Sequence, residues 1–64
     1  MEEKYFLMKT FKNIWYLQKG EKIYFYDESS RNEEVSEVAR VHPNAREVAE
    51  PPQKIVEVFK RRVK

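Results

Sequence analysis

The chain has no cysteine, one histidine and one glycine. Without thiols there are no disulfides and no thiolate metal sites, and His42 alone cannot build a histidine cluster. Both usual staples of very small domains are therefore missing, and packing has to hold the fold. No apolar run approaches the roughly 20 residues that span a bilayer, and no basic-then-apolar leader opens the chain, so a cytoplasmic protein is expected. There is no repeat, low-complexity tract or linker, and 64 residues suit one small domain, 1–64.

Scarcity also limits the chemistry. Nucleophilic catalysis needs a nucleophile beside a base that a third group orients, and His42, next to Pro43, reads as a loop or helix-end residue. Asp27 and Glu28 are adjacent carboxylates, but they precede a Ser29-Ser30-Arg31-Asn32 turn that water should reach. Glu33, Glu34 and Glu37 read as a solvated face and lack metal-ligand spacing. A non-enzymatic protein with no metal or cofactor is expected.

Charge and aromatic side chains are what the chain does have. Its 24 charged residues are of both signs, and with one glycine and three Gln or Thr the balance leans towards a thermophile. The charge is segregated: residues 1–26 sum to +2, residues 27–50 to −4 and residues 51–64 to +4. Eight of nine aromatics fall early: Tyr5, Phe6, Phe11, Trp15, Tyr16, Tyr24, Phe25 and Tyr26.

Three short runs rich in these aromatics, residues 4–9, 13–18 and 22–27, read as strands. Gly20 in Lys19-Gly20-Glu21 supplies the positive φ of a tight turn, making residues 13–27 a hairpin. Thr10-Phe11-Lys12-Asn13 links the first two strands, which completes an antiparallel meander. An even-numbered loop at Gly20 sets Tyr16 opposite Ile23, Ile14 opposite Phe25, Trp15 opposite Tyr24 and Leu17 opposite Lys22. The same parity across the first turn groups Tyr5 and Leu7 with Ile14, and Phe6 and Met8 with Trp15; an odd loop flips one strand. Which face is core stays open.

Ser30 and Glu33 have the form of a capping box, which points to a helix over about residues 31–41 with Val35, Val38, Ala39 and His42 on one face. The alternative is a fourth, edge strand through Val38 to Val41. Residues 45–50 suit a short strand. Pro51 and Pro52 fit the first turn of a C-terminal helix that buries Ile55, Val56, Phe59 and Val63 and ends on Lys60-Arg61-Arg62. The expected fold is α+β, a three- to four-stranded antiparallel meander sheet or small barrel packed against that helix.

A sheet that is apolar on both faces needs both covered, and one helix covers one. Either the middle segment folds back over the other face or a partner meets it. Trp15, Tyr24 and Tyr26 on one face, fringed by Lys4, Lys12, Lys19 and Lys22, would form a stacking platform for nucleic acid, with Arg61 and Arg62 of the basic tail adding phosphate contacts.

Ile14-Trp15, Lys19-Gly20-Glu21-Lys22-Ile23, Phe25, Asp27 and the proline-led helix with Ile55, Val56 and Phe59 resemble the seven-kilodalton chromatin proteins of thermophilic archaea. That resemblance implies a small barrel with a C-terminal helix that binds the DNA minor groove through a triple-stranded sheet. It would put Trp15 at the groove-contacting tryptophan and Leu17 near a wedge position. More loosely, the chain is similar to small strand-rich accessory proteins of archaeal ribosomes. The expected function is therefore DNA or structured RNA binding, chromatin- or ribosome-associated, through Trp15, Leu17, Lys22, Tyr24, Tyr26, Lys12, Lys19, Arg61 and Arg62. The alternative is a small adaptor subunit that docks on protein through an exposed aromatic face.

Overall fold

The computed structural model describes residues 2–63, an α+β domain of five antiparallel strands and one helix. The strands are β1 (Glu3–Met8), β2 (Ile14–Lys19), β3 (Lys22–Asp27), β4 (Val35–Val38) and β5 (Ala45–Val48), followed by α1 (Gln53–Arg62). Sheet order is β4-β3-β2-β1-β5, so the meander grows to four strands and β5 closes on the far edge of β1.

The β2–β3 hairpin turns on Gly20 and Glu21. Lys19 stands opposite Lys22, and Gly20 has φ 64° while Glu21 does not share a positive φ, the pattern of a type II′ turn with glycine first. This two-residue loop shifts the expected register by two positions. Trp15 faces Tyr26, Tyr16 faces Phe25 and Leu17 faces Tyr24. An even shift keeps every side chain on its expected face.

The first turn overturns the other grouping. Five residues, 9–13, separate β1 from β2, an odd loop that sets Tyr5 opposite Leu17 and Leu7 opposite Trp15. Tyr5 and Leu7 therefore join the Trp15 side, and Phe6 and Met8 join the Ile14 side.

Residues 31–41 are not a helix. Ser30 does not cap one: its N–H and hydroxyl both bond the Asp27 carbonyl, at 3.0 and 2.8 Å. Glu33 has φ 48°, which no right-handed helix accommodates. The valines instead build the edge strand β4, with Val35 opposite Tyr26 and Val38 opposite Ile23, three residues earlier than the Val38–Val41 alternative.

The link from β4 to β5 bends the sheet. In a flat sheet its ends would be four strand spacings apart and offset along the strands, a diagonal of about 23 Å. Residues 38–45 include a turn in which Ala45 N–H bonds the His42 carbonyl at 3.0 Å, so the link reaches only about 20 Å. Accumulated strand twist draws the corners together, consistent with extents of 28 × 25 × 23 Å.

Pro52 precedes the helix as its N-cap rather than entering its first turn, with φ −57° and ψ 144°. The helix buries Ile55, Val58 and Phe59. Val58 takes the fully buried place expected of Val56, which lies at the margin, and Val63 leaves the helix in extended geometry. The core is Tyr5, Trp15, Leu17, Tyr26, Ile55, Val58 and Phe59, with Phe59 and Ile55 each 1% exposed. Tyr5 and Tyr26 meet the Phe59 ring edge-on, at 5.9 and 6.0 Å between centroids. Such pairs add about 1 kcal/mol beyond burial alone. No helix of the described residues is long and apolar enough to cross a membrane.

Candidate functional site

The helix decides which side of the sheet is available. Trp15, Leu17 and Tyr26 retain 4%, 3% and 5% exposure beneath it, and Tyr24 packs against the same core. The expected platform on this face is therefore corrected: no base can stack on rings already enclosed by the chain's own helix. The groove contact and wedge that the resemblance implied for Trp15 and Leu17 are closed off for the same reason.

The enclosure is latched from outside. Trp15 Nε1–H donates to Glu28 Oε1 at 2.9 Å, and Glu28 Oε2 meets Lys54 Nζ at 3.0 Å. The helix has no side-chain cap and no acid in its first turn. Glu28 brings a carboxylate to that end from the β3–β4 loop, where negative charge favours the helix dipole. At the other end, Arg61 Nη2 bonds both Glu33 oxygens at 3.0 and 3.1 Å, with Arg62 at 3.8 Å. Arg61 and Arg62 are thus tied to an acid of the domain rather than presented as a free phosphate grip. Lys64 of the same tail lies outside the described residues.

These contacts set the titration of the loop. Glu28 is held below the usual carboxylate range, first by the Trp15 hydrogen bond, against partial desolvation, and further by Lys54. Asp27 is lowered by Ser29, through its hydroxyl at 2.7 Å and its N–H at 2.9 Å, and by Asn13 at 2.8 Å. Burial raises the Tyr5 and Tyr26 phenols, aided by Glu3 and by Glu33 respectively.

The opposite side carries a second aromatic row. Pairing across β1, β2 and β3 aligns Phe6, Tyr16 and Phe25. Tyr16 and Phe25 meet edge-on at 5.6 Å. Ile14, Ile23 and Met8 lie on the same side, and all six stand outside the core cluster. Tyr16 and Met8 are nonetheless buried, at 8% and 6% exposure, whereas Phe6, Phe25, Ile14 and Ile23 are half-buried. Lys4 shares this side and Lys12 is exposed in the adjoining 9–13 turn, whereas Lys22, the first residue of β3, alternates onto the Trp15 side with Tyr24 and Tyr26, and Lys19 lies within 3.9 Å of Glu3. Sequence reasoning placed Phe6 with Trp15 and so missed the row. The odd length of the 9–13 loop was the signal that could have found it.

His42 is a loop residue whose Nδ1 accepts the Asn44 N–H at 3.0 Å. Among the described residues no group of three His, Asp or Glu side chains could hold a metal ion. Comparison with protein-family models, curated proteins and solved structures finds no match.

Proposed function

We propose that this chain binds nucleic acid without catalysis, through the side of the sheet that the helix leaves free. The observation that carries the reading is the pair of half-buried rings Phe6 and Phe25, which strand pairing sets on either side of the buried Tyr16. Aromatic surface of this kind stacks on bases with little sequence preference. Lys4 on the face, and Lys12 at its end, supply salt-sensitive attraction to phosphate. The chromatin-protein resemblance supports the same function with the contact moved from Trp15 to the opposite row. A cytoplasmic, chromatin- or ribosome-associated role in a thermophilic archaeon fits this reading.

A second reading, an adaptor docking on a basic protein, draws on the acids at the margin of the same face, Asp27 and Glu47. Salt separates the two. Titration of labelled DNA and RNA by fluorescence anisotropy should give binding that weakens steeply as salt rises and that Phe6→Ala with Phe25→Ala removes while the circular dichroism persists. No binding to either polymer at low salt would reject nucleic acid and leave the adaptor.

A further inference from the structure

The β1–β2 loop holds a feature that the aromatic row does not use. Phe11, at its centre, is 57% exposed, the one large hydrophobic side chain so exposed among the described residues. The loop is nevertheless tied down on both flanks. Lys9 N–H bonds the Asn44 carbonyl at 3.0 Å, Ile14 N–H bonds the Phe11 carbonyl at 3.1 Å, and Glu28 N–H bonds the Asn13 carbonyl at 2.7 Å. Asn13 Nδ2 adds a bond to Asp27 at 2.8 Å. A tethered backbone thus presents a phenyl ring to water where no packing within the domain requires it.

Three cations stand at the foot of the same loop, around a cavity that Phe11 itself does not line. Lys9, Lys12 and Arg46 line an open cavity of about 260 Å³ together with Leu7 and Met8. All three are exposed, and none forms an ion pair among the described residues, unlike Lys19, Lys54, Arg61 and Arg62. The nearby Asp27 carboxylate is already occupied by donors from Asn13 and Ser29. Unpaired positive charge at the foot of a loop that carries an exposed flat ring complements a ligand that is both anionic and planar.

Resting on the nucleic-acid reading above, we propose that this tip is a subsite for one unpaired nucleotide of a single strand. The base stacks on Phe11, and its flanking phosphates lie against Lys9, Lys12 and Arg46. A duplex offers no such base, because the faces of its internal bases are already stacked on their neighbours.

The test is fluorescence anisotropy with a labelled oligothymidine and a duplex of equal length, on wild type, Phe11→Ala and the triple Lys9→Gln, Lys12→Gln, Arg46→Gln variant. All four positions are exposed, and unfolding curves of the variants are to check that they fold. Stacking on one base is worth about 1–3 kcal/mol, so Phe11→Ala should weaken single-strand binding by about five-fold or more and leave duplex binding unchanged. The triple variant should flatten the salt dependence. Single-strand binding that survives Phe11→Ala but falls with Phe25→Ala would overturn the subsite while sparing the sheet-face reading. Failure of the wild type to bind either oligonucleotide would overturn both.

Discussion

The two sides of the sheet are built from nearly the same material and meet different fates. Tyr5, Trp15, Leu17 and Tyr26 are closed over by a helix, while Phe6, Ile14, Ile23 and Phe25 are left half-buried. The difference does not come from hydrophobicity, since the second side carries three aromatics to the first side's four, together with Ile14, Ile23 and Met8. It comes from the approach of the helix from β5, and from two carboxylates, Glu28 and Glu33, that hold its ends on the Trp15 side. Burial in so small a domain is a limited resource, and on the side left without a helix only Tyr16 and Met8 are buried while the rings around them stay half-buried.

The sharpest way to break the comparison is to delete one ring on each side. Phe59→Ala removes a fully enclosed ring contacted by Tyr5 and Tyr26, and should cost about 3–5 kcal/mol, a large share of a small domain's stability. Phe25→Ala should cost closer to about 1 kcal/mol. Urea unfolding followed by circular dichroism reads both; equal losses would mean that the second side is core as well.

A smaller effect is expected at the latch. Glu28→Ala strands the Trp15 indole N–H and should destabilise by about 1–3 kcal/mol. Glu28→Gln keeps an acceptor and loses only the partly exposed pairing with Lys54, so it should cost under about 1 kcal/mol. Thermal unfolding of the two variants gives the order, and a Gln variant as damaged as the Ala variant would put the weight on charge instead.

The smallest effect is the acid response of the same loop. Asp27 and Glu28 titrate below their ordinary values of 3.8 and 4.5 in the folded chain. The unfolded chain therefore takes up these protons first as pH falls. Their contribution is complete above the ordinary values and is lost as pH drops through the depressed folded ones. Emission from Trp15, the only tryptophan, reports the loss directly, and Glu28→Gln should show a shallower decline in acid than wild type. An unchanged decline would assign the acid sensitivity to other groups.

Much of this fold was legible in the residues, and the limits of legibility have identifiable causes. Aromatic runs with Gly20 between them specify β1 to β3, because only short extended segments suit such spacing. Two prolines followed by Ile55 and Phe59 specify the helix. Residues 31–41 misled, since Ser30 and Glu33 satisfy a helix-start pattern whose donors and acceptors are in fact claimed by Asp27 and Arg61. The expected platform failed in an instructive way: the helix covers the Trp15 side on which it was placed, and on the other side Tyr16 and Met8 are buried while Phe6, Phe25, Ile14 and Ile23 stay half-buried. Of the expected contacts, Lys12 and Lys22 are exposed, Trp15, Leu17 and Tyr26 are buried, and Arg61 and Arg62 are engaged with Glu33.

Local chemistry alone determined that this protein would be a thiol-free α+β domain with two apolar sheet sides and a basic-ended helix, because periodicity, turn residues and charge act over a few neighbouring positions. Only the tertiary structure decided which side the helix would cover and where β5 would pair. Those choices depend on loop parity, on the bend forced by the short β4–β5 link, and on long-range bonds such as Trp15 to Glu28, which no local pattern encodes.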